Sequence, residues 1–420
     1  MIRCAAQIRK DFSLVPSLGF NVLLLETTAV LVQSPDRNLD FAAKMQASPA
    51  KRPFRADHVG SLLRPAPLAA ARHRAEHGEI SHRDLRRVED AAIRDVVSYQ
   101  QKLGFGLATD GEFRRAYFHL DFLTSIEGVE SYLDPATAHF HKHDGEVLEF
   151  SPPRLRVTSK VSRNAPIMLR DYAVIASALA RGQVGKVTIP SPSMALRCGR
   201  DQIDREAYPD LAEWHADLEA VYQDEIDDLA AAGCRYLQLD DTNLAYMCDP
   251  NQREALRVRG EDPDAYAETC VRLINTALEA APVEMFTGIH LCRGNFKSAF
   301  VAQGGYEPIA EKLLGEIAVD AFLLEYDDER SGSFEPLRFL PPGKFVVLGL
   351  VSSKHGQLET RDEILRRVDE AAAYAPLEQL CLSPQCGFAS TCEGNDITED
   401  DQRRKLELVV SCAEEIWGAA

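Results

Sequence analysis

Positive charge is the first shortage. Against 65 Asp and Glu, the 420-residue chain carries 47 Lys and Arg, for a formal net charge of -18. A chain this acidic repels phosphate, so nucleic acid and anionic membrane surfaces are poor candidate partners. An anionic substrate would need a local positive group or a metal. Long apolar runs are also missing. The nearest, Leu14 to Val32, is broken by Pro16, Asn21, Glu26, Thr27 and Thr28, whereas a membrane span needs roughly 20 apolar residues in a row. With Arg3, Arg9 and Lys10 ahead of it, that stretch loosely imitates a signal peptide, but no clear small-residue cleavage site follows. Residues 1–52 are therefore expected to form a poorly ordered extension, with Met45 as an alternative start. Paired cysteines are absent too. Ten cysteines, at 4, 198, 234, 248, 270, 292, 381, 386, 392 and 412, contain no CxxC and no disulfide-framework spacing. In a chain of this size, that favours a reduced, cytosolic compartment. There is no Gly-rich phosphate loop of the GxGxxG or GxxxxGK kind.

What is present from Arg55 onward is alternation. Short apolar runs around Val59, Ala108, Thr188, Leu237, Ile289, Leu324, Val347 and Leu382 read as strands, with helical periodicity between them. Leu85, Val88, Ala92, Val96 and Tyr99 recur at helical spacing behind a capping Ser81. Further helices are expected over about 210–232, 263–280 and 400–417. Eight β/α units over about 360 residues point to a (β/α)8 TIM-type barrel filling residues 53–420 as one unit; a doubly wound open sheet is the runner-up. Residues 113 to about 165 do not fit the repeat. They read as a hairpin or loop excursion after the second strand, beside the barrel mouth.

In such a barrel, functional side chains sit at the C-terminal ends of the strands. Those ends carry Ser61, Glu112, Asp240, Asp241, His290, Cys292, Glu325, Lys354, His355 and Cys386. His290 and Cys292 are two apart, so in extended backbone they face one side. Two cysteines, one histidine and one glutamate suit tetrahedral Zn²⁺, and a thiol bound to zinc is deprotonated yet still nucleophilic. That is the chemistry of alkyl transfer to sulfur. Blander readings stand beside it. Cys386 can fill a turn before Gly387, Glu325 can be a salt-bridged strand end, and Glu112 and Asp240 can be solvated caps. His139, His141 and His143 form a weaker candidate metal set, and Cys381 and Cys392 read as non-ligands.

Taken together, His58-Val59-Gly60-Ser61, Asp110-Gly111-Glu112, Gln238-Leu239-Asp240, His290-Leu291-Cys292, Leu324-Glu325 and Pro384-Gln385-Cys386-Gly387 resemble the catalytic barrel of cobalamin-independent methionine synthase, especially its short single-barrel relatives. The resemblance covers about residues 54–415. It implies zinc held by His290, Cys292, Glu325 and Cys386, homocysteine bound near Val59, Gly60 and Ser61, and the α-ammonium of homocysteine met by Glu112 and Asp240. Two carboxylates facing one pocket suit a cationic amine on independent grounds. The second, N-terminal barrel of the full-length synthases has no room here, so the methyl donor is left open between methyltetrahydrofolate and another carrier such as a methyl-corrinoid. The family's proton donor falls near Lys354 and His355, and the pattern does not choose between them.

The expected function is therefore zinc-dependent methyl transfer to homocysteine. Another zinc-dependent thiol alkylation, as in the related epoxyalkane:coenzyme M transferases, is the near alternative. A sulfonate thiol would gain nothing from Glu112 and Asp240. A zinc hydrolase would usually show fewer thiolates, and a non-catalytic metal-binding or corrinoid-handling protein is the remaining class.

Overall fold

A computed structural model of the chain describes residues 53–134, 138–142 and 145–418. The extension expected over residues 1–52, with Met45, and His143 of the histidine trio lie outside the described residues.

Seven parallel strands form one curled sheet: β1 (Leu107–Ala108), β6 (Val184–Pro190), β7 (Tyr236–Asp241), β8 (Phe286–Leu291), β9 (Ala321–Glu325), β10 (Phe345–Val351) and β11 (Leu380–Pro384). Each pairs with the next in sequence order. A doubly wound sheet would reverse its order part-way; this one does not. The fold is of the TIM-barrel type. Several of the intervening helices are capped at their N-termini, one by the expected Ser81. Ser81 Oγ accepts the Asp84 N–H at the head of helix His82–Lys102. Asp210 and Asp262 cap Leu211–Ala231 and Pro263–Leu278, and Thr398 with Asp401 forms a capping box for Glu399–Trp417. None of the described helices is long and apolar enough to cross a membrane.

The expected first strand around Val59 is a correction. Over 55–61 the backbone makes one isolated bridge, Ala56 to Leu382, with Asp57 N–H donating to Leu382 O and Leu382 N–H to Arg55 O, each 2.9 Å. The chain then turns at Gly60, whose φ of +140° is open mainly to glycine and whose Cβ would lie 2.8 Å from Thr188 Cγ2. On the other flank β1 is two residues long, so side chains complete the closure: Thr109 Oγ1 donates to Gly60 O at 2.7 Å and Gln238 Nε2 to Val59 O at 2.6 Å.

Alternation along the strands sorts side chains into two shells. Leu237, Leu239, Ile289, Leu291, Phe322 and Leu324 face the helices. Val59, Leu107, Tyr236, Phe286, Ala321, Leu323, Val347 and Cys381 fill the barrel floor. Continuing the inward positions towards the strand ends gives Asp240, His290, Glu325 and Gln385. The excursion forms two antiparallel pairs, β2 (Glu127–Tyr132) with β5 (Arg154–Ser162), and β3 (Ala138–His141) with β4 (Val147–Phe150). The second pair lies against the loop after β8. His141 N–H donates to Phe300 O at 2.7 Å, and the rings of Phe150 and Phe296 stack with centroids 4.3 Å apart.

Candidate metal centre

Strand β8 ends on His290 and Leu291, and Cys292 follows with its N–H donated to Asp241 O at 2.8 Å. That bond carries the strand direction one residue further, so His290 and Cys292 both face inward. Glu325 closes β9, and Cys386 lies two residues past β11. One ligand atom from each of the four lies within 4.8 Å of the others, and all four residues are buried. The Cys292 and Cys386 sulfurs are 3.4 Å apart.

His290 Nδ1 lies 3.2 Å from Leu323 O, which accepts its N–H and leaves Nε2 for the group. Nε2 is buried and has no hydrogen-bond partner, which native interiors rarely tolerate. Glu325 is anchored: Oε1 accepts the Arg293 N–H at 2.8 Å and Oε2 the Gln385 amide at 3.2 Å. Burial alone would raise its carboxyl, but Lys354, Arg293, Arg330 and His290 hold it below the ordinary range. Burial also works against a charged His290, yet the Cys386 sulfur, Asp240 and Glu325 hold its imidazole up at about 9. The hydrogen bond from Cys292 pulls Cys386 well below the ordinary thiol range and lifts Cys292 well above it. Of the four donors, Cys386 and Glu325 are thus held as anions, gathered in one buried place with a second thiol and an imidazole. The residues therefore fit a tetrahedral metal with sulfur, nitrogen and oxygen ligands.

The other predicted residues surround this group unevenly. Glu112 is buried at a φ of 58°, its N–H held by Asp110 Oδ1 at 2.8 Å. Its Oε1 accepts from Thr188 Oγ1 at 3.1 Å, and Oε2 lies 3.6 Å from Arg115 NH1. Asp240 is buried beside it and accepts Gln238 Nε2 at 2.6 Å. Burial first and the Glu112 charge second push Asp240 up to about 7, and burial raises Glu112 as well. Val59, Gly60 and Ser61 line the adjoining turn, where Ser61 Oγ accepts the Ala389 N–H at 3.3 Å. Lys354 is buried and donates from Nζ to Asn295 Oδ1 at 3.1 Å, whereas His355 is exposed. His139 and His141 belong to no metal-capable group among the described residues. Cys381 lies in the floor, and Cys392 is exposed.

Three contributors escaped the sequence reading: Gln385, Asn295 and Arg293. Gln385 was within reach, because it lies an even number of residues from Cys381 on an inward face. Asn295 lies beyond a turn and carries no periodic signal. It donates to Gly387 O at 2.9 Å and sits 3.7 Å from the Cys386 sulfur. Above it opens a cavity of about 540 Å³, lined by Tyr117, Phe118, Phe140, Phe150, Phe296 and Arg197 among others.

The family model described as "Cobalamin-independent synthase, Catalytic domain" matches residues 54–415. The chain belongs to this family. Members of this cobalamin-independent methionine synthase family are methyltransferases. An uncharacterised protein of Bacillus subtilis (strain 168), YxjH, is 41% identical over 368 residues, which is 87% of this chain and 96% of that one. The crystal structure of a putative vitamin-B12-independent methionine synthase from Listeria monocytogenes superposes with a TM-score of 0.71 at 35% identity, covering 87% of this chain and 99% of that one. The 5-methyltetrahydropteroyltriglutamate–homocysteine methyltransferase of Herpetosiphon aurantiacus is 23% identical over 372 residues, 86% of this chain but 44% of that protein. These relatives do not support the methyl-corrinoid donor.

Proposed function

We propose that this member of the cobalamin-independent synthase family is a zinc-dependent S-methyltransferase that methylates homocysteine to methionine, with a methyltetrahydrofolate-type donor. The observation that carries the reading is the buried set of His290, Cys292, Glu325 and Cys386, within 4.8 Å of one another, opening beside the carboxylates of Glu112 and Asp240. His290, Cys292, Cys386 and Glu325 would hold Zn²⁺, which when bound keeps a substrate thiol ionised at neutral pH and available as a nucleophile. Glu112 and Asp240 bind the α-ammonium, whose positive charge relieves the repulsion between two buried carboxylates. Ser61 and the backbone at Val59 and Gly60 orient the amino acid. Lys354 delivers a proton to the donor nitrogen as its bond to the methyl group breaks and the electron pair stays on that nitrogen. Its burial and its bond to Asn295 favour it over the exposed His355. The cavity above Asn295 has flat aromatic faces for a ring-bearing donor, with Arg197 for negative charge.

The name of the Herpetosiphon relative supports this acceptor and donor, and that of the Listeria structure supports methionine as the product. The test supplies zinc-loaded enzyme with homocysteine and methyltetrahydrofolate, follows methionine by mass spectrometry, and runs coenzyme M as a competing thiol. Methionine formation without coenzyme M methylation is the expected result. Methylation of the sulfonate thiol alone would move the reading to the other thiol alkyltransferases.

A further inference from the structure

The Glu325 carboxylate has two anchors. One is a backbone N–H, that of Arg293, which every residue but proline supplies. The other is a side chain, Gln385, to which neither the motif reading nor the family resemblance attaches a role. Gln385 is buried, with 1% of its surface exposed. Its own orientation is determined: Oε1 accepts both the Ser353 N–H at 3.1 Å and the Ser353 hydroxyl at 2.6 Å. A backbone N–H can only donate, so the oxygen must face Ser353 and the NH₂ must face Glu325. Ser353 is held in turn, its carbonyl accepting Asn395 Nδ2 at 2.8 Å. Gln385 N–H donates to Val351 O at 2.8 Å, tying it to the end of β10.

We infer that Gln385 is the positioning residue that keeps Glu325 in place as the carboxylate ligand of the metal, and that Ser353 holds Gln385 in the donating orientation. The inference rests on the zinc reading above. Its physical basis is that a ligating carboxylate with a hydrogen bond on its outer oxygen loses less freedom on binding and presents one oxygen to the ion. The same short loop, 352–354, places Lys354. Ser353, which orients Gln385, and Lys354, proposed to protonate the donor, are therefore adjacent in one loop.

The experiment measures zinc affinity by competition with a chromophoric chelator, with the Co²⁺-substituted absorption spectrum and the melting temperature of the metal-free chain alongside. Gln385→Met keeps the side-chain length and removes the donor. The expected result is a zinc Kd weakened by roughly 10–100-fold, a changed Co²⁺ spectrum and a metal-free melting temperature near wild type. Ser353→Ala, which removes one of two bonds to Gln385, is expected to weaken zinc by a smaller factor. It also serves if Gln385→Met fails to fold. Wild-type affinity and spectrum in a folded variant would overturn the inference while leaving the zinc reading intact. No zinc binding by the wild-type chain would overturn the zinc reading, and the inference with it.

Discussion

The floor and the mouth of this barrel are built from the same strands and are equally buried, yet they treat charge in opposite ways. In the floor, Lys186 Nζ donates to Asp57 Oδ1 and to His58 O, each at 2.8 Å, and Tyr236 OH donates to Asp57 Oδ2 at 2.6 Å. The pair is sealed, with 0% and 2% of the two charged side chains exposed. At the mouth, His290 Nε2 has no partner, two sulfurs touch, and Glu112 and Asp240 crowd one another. Desolvated charge is costly unless paired. The floor completes its pairing within the chain, whereas the mouth leaves room for cations from outside. Charge paired within the chain marks the structural cluster here, and a gathered set of metal-type donors marks the site.

The sharpest way to break this comparison is to remove a mouth ligand. Cys292→Ser is expected to abolish stoichiometric zinc, measured by elemental analysis, and to lower methyl transfer beyond the ~100-fold that loss of a second-layer partner causes. The metal-free fold should stay close to wild type. Zinc retained in this variant would place the metal elsewhere. The matching change in the floor is Asp57→Ala, which strands buried Lys186. It should cost about 3–5 kcal/mol of stability, read as a lower denaturant midpoint, with zinc content per folded chain unchanged.

Acid should find the floor as well. Burial first, and Lys186 second, hold the His58 imidazole down at about 4. A folded pKa below the ordinary value contributes stability that is present above pH 6.5 and lost as pH falls towards 4. That contribution is about 3 kcal/mol, and His58→Gln should flatten the fall in equilibrium denaturation over this window. The smallest expected effect is Asp240→Asn at the mouth. Loss of one charge-assisted contact, about 1.5–3 kcal/mol, should raise the KM for homocysteine by roughly 10–100-fold, with zinc content retained. An equal fall in zinc and activity would make Asp240 part of the metal site instead of the ammonium site.

Much of the barrel was legible because its signals are local. The apolar runs at Leu237, Ile289, Leu324, Val347 and Leu382 all fall inside strands, and Ser81 caps the helix it was expected to head. The segment at Val59 misled because a strand is a property of two neighbours. Gly60 turns away, and two-residue β1 offers little to pair with. The excursion announced itself as an interruption, but its two-sheet form and its contact with Phe296 and Phe300 did not.

Sequence alone determined the order of the strands, the ends at which chemistry-bearing residues fall, and the residue types available there, since periodicity and strand polarity are local consequences of backbone geometry. Tertiary structure decided the rest. It brought His290, Cys292, Glu325 and Cys386 within 4.8 Å, buried Lys354 while leaving His355 exposed, and turned Gln385 onto Glu325. Those outcomes depend on how far the strands curl and which loop covers which end, distances set by the packing of residues as far apart in sequence as Ala56 and Leu382.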